Sequence, residues 1–191
     1  MYTALKDMGF ENGNILEPSM GIGNFFEAMP KSMAEDSRLY GVELDSITGR
    51  MAKLIYPEAH IEVRGYENTD FQNDFFDVAI GNVPFGQYKV LDKEYDSNNF
   101  LIHDYFFAKT IDKVRPGGII AFITSKGTMD KQNSSVRRYI SKRAELVGAV
   151  RLPNTAFKNA GTSVTSDIIF LKKRNALTDV TDPWVELAVD D

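Results

Sequence analysis

The chain has 191 residues, of which 43% are hydrophobic, 26% charged and 12% aromatic, the make-up of one globular domain able to bury a core without a metal or disulfide staple. It has no cysteine, and its two histidines lie 43 positions apart, which excludes disulfides, thiol catalysis and cysteine-based zinc sites and argues against a histidine-rich metal site. Neither a signal peptide nor an apolar run long enough to span a bilayer is present, so a cytoplasmic location is expected, and the net charge of −5 sets the chain apart from nucleic-acid binders that rely on clustered Lys and Arg.

Short apolar runs rich in Ile, Val and Phe predict strands over 14–17, 38–43, 60–63, 76–81, 118–124, 146–152 and 166–171. Several are apolar on both faces, as strands of a sheet covered on each side by helices should be. Helical patterns fall between them, over 24–29, 46–56, 100–114 and 134–144, and Pro30, Pro57 and the string RPGG at 115–118 supply stops. This alternation predicts a doubly wound α/β fold with a mostly parallel, seven-stranded sheet. The last two strands lack an intervening helix and are joined by about a dozen loop residues, so they should pair antiparallel. From Arg174 onward the chain turns polar and acidic, and it is expected to leave the core there, giving a domain over 1–173 and a tail or linker over 174–191.

The string LEPSMGIGNFF, 16–26, follows the first strand and opens a helix. Gly21 and Gly23 can take up positive φ and let the backbone approach a ligand. Glu17 ends the strand at the crevice where open α/β sheets bind ligands. The second strand ends in Glu43, twenty residues after Gly23, where a carboxylate can accept hydrogen bonds from ribose hydroxyls. Phe26 stands where a dinucleotide fold would place its third glycine, which points away from a pyrophosphate-containing cofactor and toward one such as S-adenosylmethionine.

The string IGNVPFG, 80–86, begins 64 positions after the start of the first motif. It carries a buried strand into a loop that groups Asn82, Pro84 and Phe85. The exocyclic amine of adenine is a poor nucleophile, because its lone pair is delocalised into the ring. An amide oxygen and a nearby backbone carbonyl that accept both of its N–H protons draw the nitrogen toward tetrahedral geometry. An aromatic ring beside them can stack on an extruded base. Asn82, Pro84 and Phe85 are the catalytic candidates on these grounds; an ordinary Asn-x-Pro surface turn is the competing reading.

The two motifs, together with YGVELDSITGRMAK, IHDYFFAKTIDKVRPGGIIAFITSKGTMDK and VGAVRLPNTAFKNAGTSVTSDIIFLKK, resemble S-adenosylmethionine-dependent DNA adenine amino-methyltransferases of the gamma arrangement. The closer resemblance is to the methylase domain of large helicase–methylase proteins of conjugative elements and phages. It implies a cofactor surface formed by Glu17, Pro18, Gly21, Gly23, Glu43, Leu44, Glu67 and Asn82, with Tyr66 and Asp70 near the adenine-contacting position. It implies no metal, an adenine-containing DNA substrate read through flanking domains of a larger polypeptide, and a setting in restriction-modification or mobile elements. Val83 stands where the family has a first proline, and the family's aromatic segment upstream of the first strand is expected to be cut away, leaving Tyr2.

Other readings stay open from residues alone: methylation of an RNA base or a protein glutamine, an inactive binding module, and a nicotinamide oxidoreductase. The basic residues Arg137, Arg138, Lys142 and Arg143 are expected on a solvated helix face, with Lys126 and Lys131 nearer the crevice. His103 and Asp104 are expected to serve a helix start. The stretch 157–167 is either a substrate loop or a plain connection.

Overall fold

The computed structural model describes residues 1–156, 165–179 and 181–187. Seven strands form one sheet: β1 (Asn14–Glu17), β2 (Arg38–Glu43), β3 (His60–Val63), β4 (Phe76–Asn82), β5 (Val114–Ser125), β6 (Ala144–Arg151) and β7 (Ser166–Lys173). Their order is β3-β2-β1-β4-β5-β7-β6. The first five run parallel, and β7 is antiparallel to both β5 and β6. The expected antiparallel pairing of the last two strands is therefore present.

Burial follows the two-residue period of a strand. Leu16, Ala79, Ile120 and Phe122 face one apolar cluster; Ile15, Val78, Ile80, Ile119 and Ala121 face the other. Helices complete both layers: α1 (Tyr2–Asp7), α2 (Asn24–Glu27), α3 (Lys31–Glu35), α4 (Ser46–Ile55), α5 (Ile102–Lys113), α6 (Gly127–Asp130) and α7 (Ser135–Ser141). The short helices α1, α3 and α6 were not expected, because none spans enough turns to display an apolar stripe. At the start of α4 the Asp45 carboxylate accepts the Thr48 N–H at 2.7 Å, an N-cap that fixes where the chain turns from β2.

Three expectations require correction. The chain beyond Arg174 does not leave the core within the described residues: Val185 is fully buried, Trp184 packs against the main cluster, and Arg174 pairs with Asp182 at 2.9 Å. Two apolar side chains suffice to bring an acidic stretch back onto α7. Arg137 is not on a solvated face; it is fully buried, with Nε donating to the Val185 carbonyl at 2.6 Å and Nη1 to the Lys131 carbonyl at 2.8 Å. His103 and Asp104 are buried in the first turn of α5, where neither caps the helix. Asp104 instead pairs with Lys131 and accepts from Thr128, tying α5 to the segment after β5. The buried carboxylate needs that partner, since an isolated one would be strongly disfavoured.

Candidate active site

The strand order reverses between β1 and β4. At such a switch point the connections leave in opposite directions and open a crevice beyond the carboxyl ends of the strands. Four of the predicted elements meet there: the ends of β1, β2 and β4 and the loop after β1.

Glu17, at the end of β1, is 1% exposed, and its Oε2 has no hydrogen-bond partner among the described residues. Burial first, and the charge of Glu43 second, push its carboxyl up to about 9. The loop that follows turns through Gly21 at φ 56° and Gly23 at φ 89°, the left-handed region that favours glycine. Tyr56, from the end of α4, donates its hydroxyl to the Gly23 carbonyl at 2.9 Å. A Cβ on Gly23 would lie 2.4 Å from that ring. Glu43 serves the same loop, with Oε2 accepting the Gly21 N–H at 2.8 Å and Oε1 the Asp45 N–H at 2.8 Å. Leu44 beside it is 74% exposed, an apolar side chain held at the rim of the crevice.

On the other side of the switch point, a Cβ on Gly81 would meet Glu17 Cγ at 3.5 Å and Pro18 Cδ at 3.7 Å. The strand bearing the second motif therefore abuts the strand bearing the first. Asn82 is the last residue of β4, exposed, with a side chain that makes no hydrogen bond among the described residues. Val83 is buried, and its N–H donates to the Ile123 carbonyl at 3.1 Å. A proline there could not make this bond, so the backbone ladder steadies the loop in place of a second ring. Phe85 rests partly buried against the main apolar cluster.

Some predicted residues sit less simply. Glu67 lies in the short turn Tyr66–Asn68 after β3, where its carboxylate accepts from the Asn68 side chain at 2.8 Å. Tyr66 faces the core, with its hydroxyl 3.1 Å from that of Thr110, which corrects its placement near a ligand; Asp70 is exposed. Residues 157–164 of the possible substrate loop lie outside the described residues. Tyr56 is an addition to the residues predicted for this crevice, and Tyr2, the aromatic left upstream of the first strand, packs beside it. The Tyr2 hydroxyl donates to the Phe25 carbonyl, and burial, with Glu17 and Tyr56 nearby, raises its pKa. Nothing in the local pattern marks Tyr56, because it acts on a loop far away in sequence. Among the described residues no group of three or more metal-ligating side chains is arranged around a common point, and no helix is long and apolar enough to cross a membrane.

The state of Glu17 has a consequence for stability. Its folded pKa of about 9 exceeds the unfolded value, so the native state holds a proton that the unfolded chain has lost. Its contribution is fully present below the unfolded pKa of about 4.3 and is lost as pH rises toward the folded one, with a slope of up to ~1.4 kcal/mol per pH unit. Glu17→Gln is expected to flatten the decline in melting temperature between pH 5 and pH 9. Parallel melting curves for the two proteins across that range would contradict the assignment.

The fold and the crevice define a Rossmann-like methyltransferase domain. The sequence profile of the N-6 DNA Methylase family matches residues 6–184, and the chain belongs to that family. It is 32% identical over 182 residues to Defense against restriction protein B of Escherichia phage P1; the match takes in 92% of this chain but only 8% of the phage protein. A protein from Listeria monocytogenes described as a class I S-adenosylmethionine-dependent methyltransferase superposes with a TM-score of 0.73 at 20% identity, covering 94% of this chain and 59% of that one. A type I restriction-modification methyltransferase subunit from Streptococcus thermophilus gives a TM-score of 0.71 at 17% identity, covering 90% and 42%. These solved structures share the fold.

Proposed function

We propose that the chain is the catalytic domain of a DNA adenine methyltransferase that transfers a methyl group from S-adenosylmethionine to the exocyclic amino group of adenine. The observation that carries this reading is the contact of Gly81 with Glu17 and Pro18 at the switch point. It sets the Asn82–Phe85 loop beside the glycine loop, as a transfer between two bound groups requires.

The residues of the crevice fit the cofactor. A buried carboxyl with an unpartnered oxygen at Glu17 suits the methionine ammonium, whose positive charge would favour the ionised carboxylate, the proton passing to solvent. The glycine loop, held by Tyr56 and Glu43, brings backbone close to the methionine side. Each Glu43 oxygen keeps a lone pair for a ribose hydroxyl after accepting its backbone N–H. Leu44 offers an apolar face to the adenine ring, and Glu67 lies in the turn that follows the next strand. When bound, S-adenosylmethionine supplies an electrophilic methyl group. Asn82 accepts one N–H of the target amine through its side-chain oxygen, and the backbone carbonyl of Val83 is at hand for the other. Pro84 stiffens the loop, and Phe85 stacks on the extruded base.

The phage relative is many times longer than the chain, and flanking regions of a larger polypeptide are the natural source of sequence recognition, in a setting related to restriction-modification. Charge supports this division. Acidic residues outnumber basic ones 27 to 22. On α7 and just past it, Arg137 is buried, Arg138 pairs with Glu186 and Lys142 with Asp179. The 191 residues alone are expected to bind duplex DNA weakly and with strong salt dependence. Tight, sequence-selective retardation in a gel at physiological salt would contradict that division. The proposed chemistry is tested by supplying methyl-labelled S-adenosylmethionine with DNA, RNA and protein acceptors in parallel. Label in DNA supports it; label confined to RNA or to protein glutamine refutes it.

A further inference from the structure

Eleven of the twelve residues of α5 are buried, and one of them is a lysine with no role in the chemistry above. Lys109 is 3% exposed. Its Nζ lies 3.1 Å from Asp92 Oδ2, 3.4 Å from the Glu67 carbonyl oxygen and 5.2 Å from the centre of the Tyr66 ring. An ammonium has three N–H donors, and these three partners account for all of them. Packing alone does not explain the choice, since a Met or Leu would fill the same space without the desolvation cost of a buried charge.

The partners belong to two different loops. Glu67 and Tyr66 follow β3, on the cofactor side of the crevice. Asp92 lies in the connection that carries the chain from the Asn82–Phe85 loop to α5. That connection is organised around Asp92. Its carboxylate also accepts the Tyr105 hydroxyl at 2.8 Å, and its carbonyl accepts the N–H groups of Tyr95 and Asp96, each at 2.8 Å. The Tyr95 hydroxyl in turn donates to Asp112 at 2.8 Å, a second attachment to α5. Burial pushes the Asp92 carboxyl up, but the hydrogen bonds from Tyr105 and Lys109 outweigh it and hold the group below its ordinary value.

We propose that Lys109 is a positioning residue that locks the adenosine-side turn Tyr66–Asn68 to the connection leaving the base-side loop. The assignment rests on the proposed function for the identity of the two sides. One cation thus sets the spacing between the Tyr66–Asn68 turn and the segment through which the chain runs from the Asn82–Phe85 loop into α5. Loss of the lock should loosen both segments together, though they are far apart in sequence.

The test uses the full chain, as Lys109→Met and as the double variant Lys109→Met/Asp92→Leu. The double variant guards against simple unfolding, because replacing both members of a buried ion pair with apolar residues is often neutral or stabilising. Hydrogen exchange without cofactor is measured over 66–69 and 92–98, and S-adenosylmethionine affinity by calorimetry. In the double variant both segments are expected to exchange faster, and affinity to fall about tenfold, the worth of one charge-assisted hydrogen bond. A folded double variant that keeps wild-type protection in either segment, or binds S-adenosylmethionine within about twofold of wild type, overturns the proposal. Should the wild-type chain not bind S-adenosylmethionine at all, the functional reading fails instead, and the exchange data alone decide whether Lys109 joins the two segments.

Discussion

Asn82→Ala is expected to lower single-turnover methyl transfer by about a hundredfold or more, the loss seen when one preorganised hydrogen-bonding group aimed at developing charge is removed. The side chain is exposed at the end of β4 and bonds to nothing else among the described residues, so its removal should cost the fold little. Val83, whose N–H is held by the Ile123 carbonyl, keeps the loop on its path in the variant. The expected pattern is a fall in turnover with S-adenosylmethionine affinity nearly unchanged, because only the target amine loses an acceptor. Rapid-quench assays on a form of the protein that includes its DNA-recognition regions measure this. Transfer at the wild-type rate would remove Asn82 from the chemistry.

Glu43→Ala should have the larger effect on cofactor binding. The carboxylate accepts the backbone N–H groups of Gly21 and Asp45 and so holds the glycine loop to the start of α4. Its remaining lone pairs are the ones assigned to ribose. Removal therefore loosens the loop and deletes the ligand contact at once, and a penalty of about 2–3 kcal/mol in S-adenosylmethionine binding is expected. Glu43→Gln separates the two contributions, since its single amide oxygen can keep one backbone bond but not both. Equal affinities for wild type and Glu43→Ala in a calorimetric titration would show that the acidic residue at the end of β2 serves the loop alone.

Much of this arrangement is legible in the sequence because the signals are local. Short apolar runs mark every strand, and β1, β2 and β3 begin and end where those runs predict. Gly21 and Gly23 announce a loop that only glycine tolerates, and the structure gives both of them positive φ. What escapes sequence reading depends on partners far away along the chain. Charge counting puts Arg137 in solvent, since nothing near it reveals the Val185 carbonyl that receives its guanidinium. Adjacent His103 and Asp104 suggest a helix start, yet the partner that matters to Asp104 is Lys131, just past α6. Likewise Val83 reads as a weakened motif until its N–H is seen to extend the ladder onto β5. In each case a partner distant along the chain decides how the residue is used.

The most direct test is nucleoside mass spectrometry of duplex DNA incubated with the protein and S-adenosylmethionine. Asn82, the Val83 carbonyl and Phe85, following the strand that abuts Glu17 and Pro18, should yield N6-methyldeoxyadenosine, and the Asn82→Ala protein should yield almost none. Methyl groups found only on carbon 5 of cytosine, or an equal yield of N6-methyldeoxyadenosine from Asn82→Ala, would contradict the assignment of this crevice.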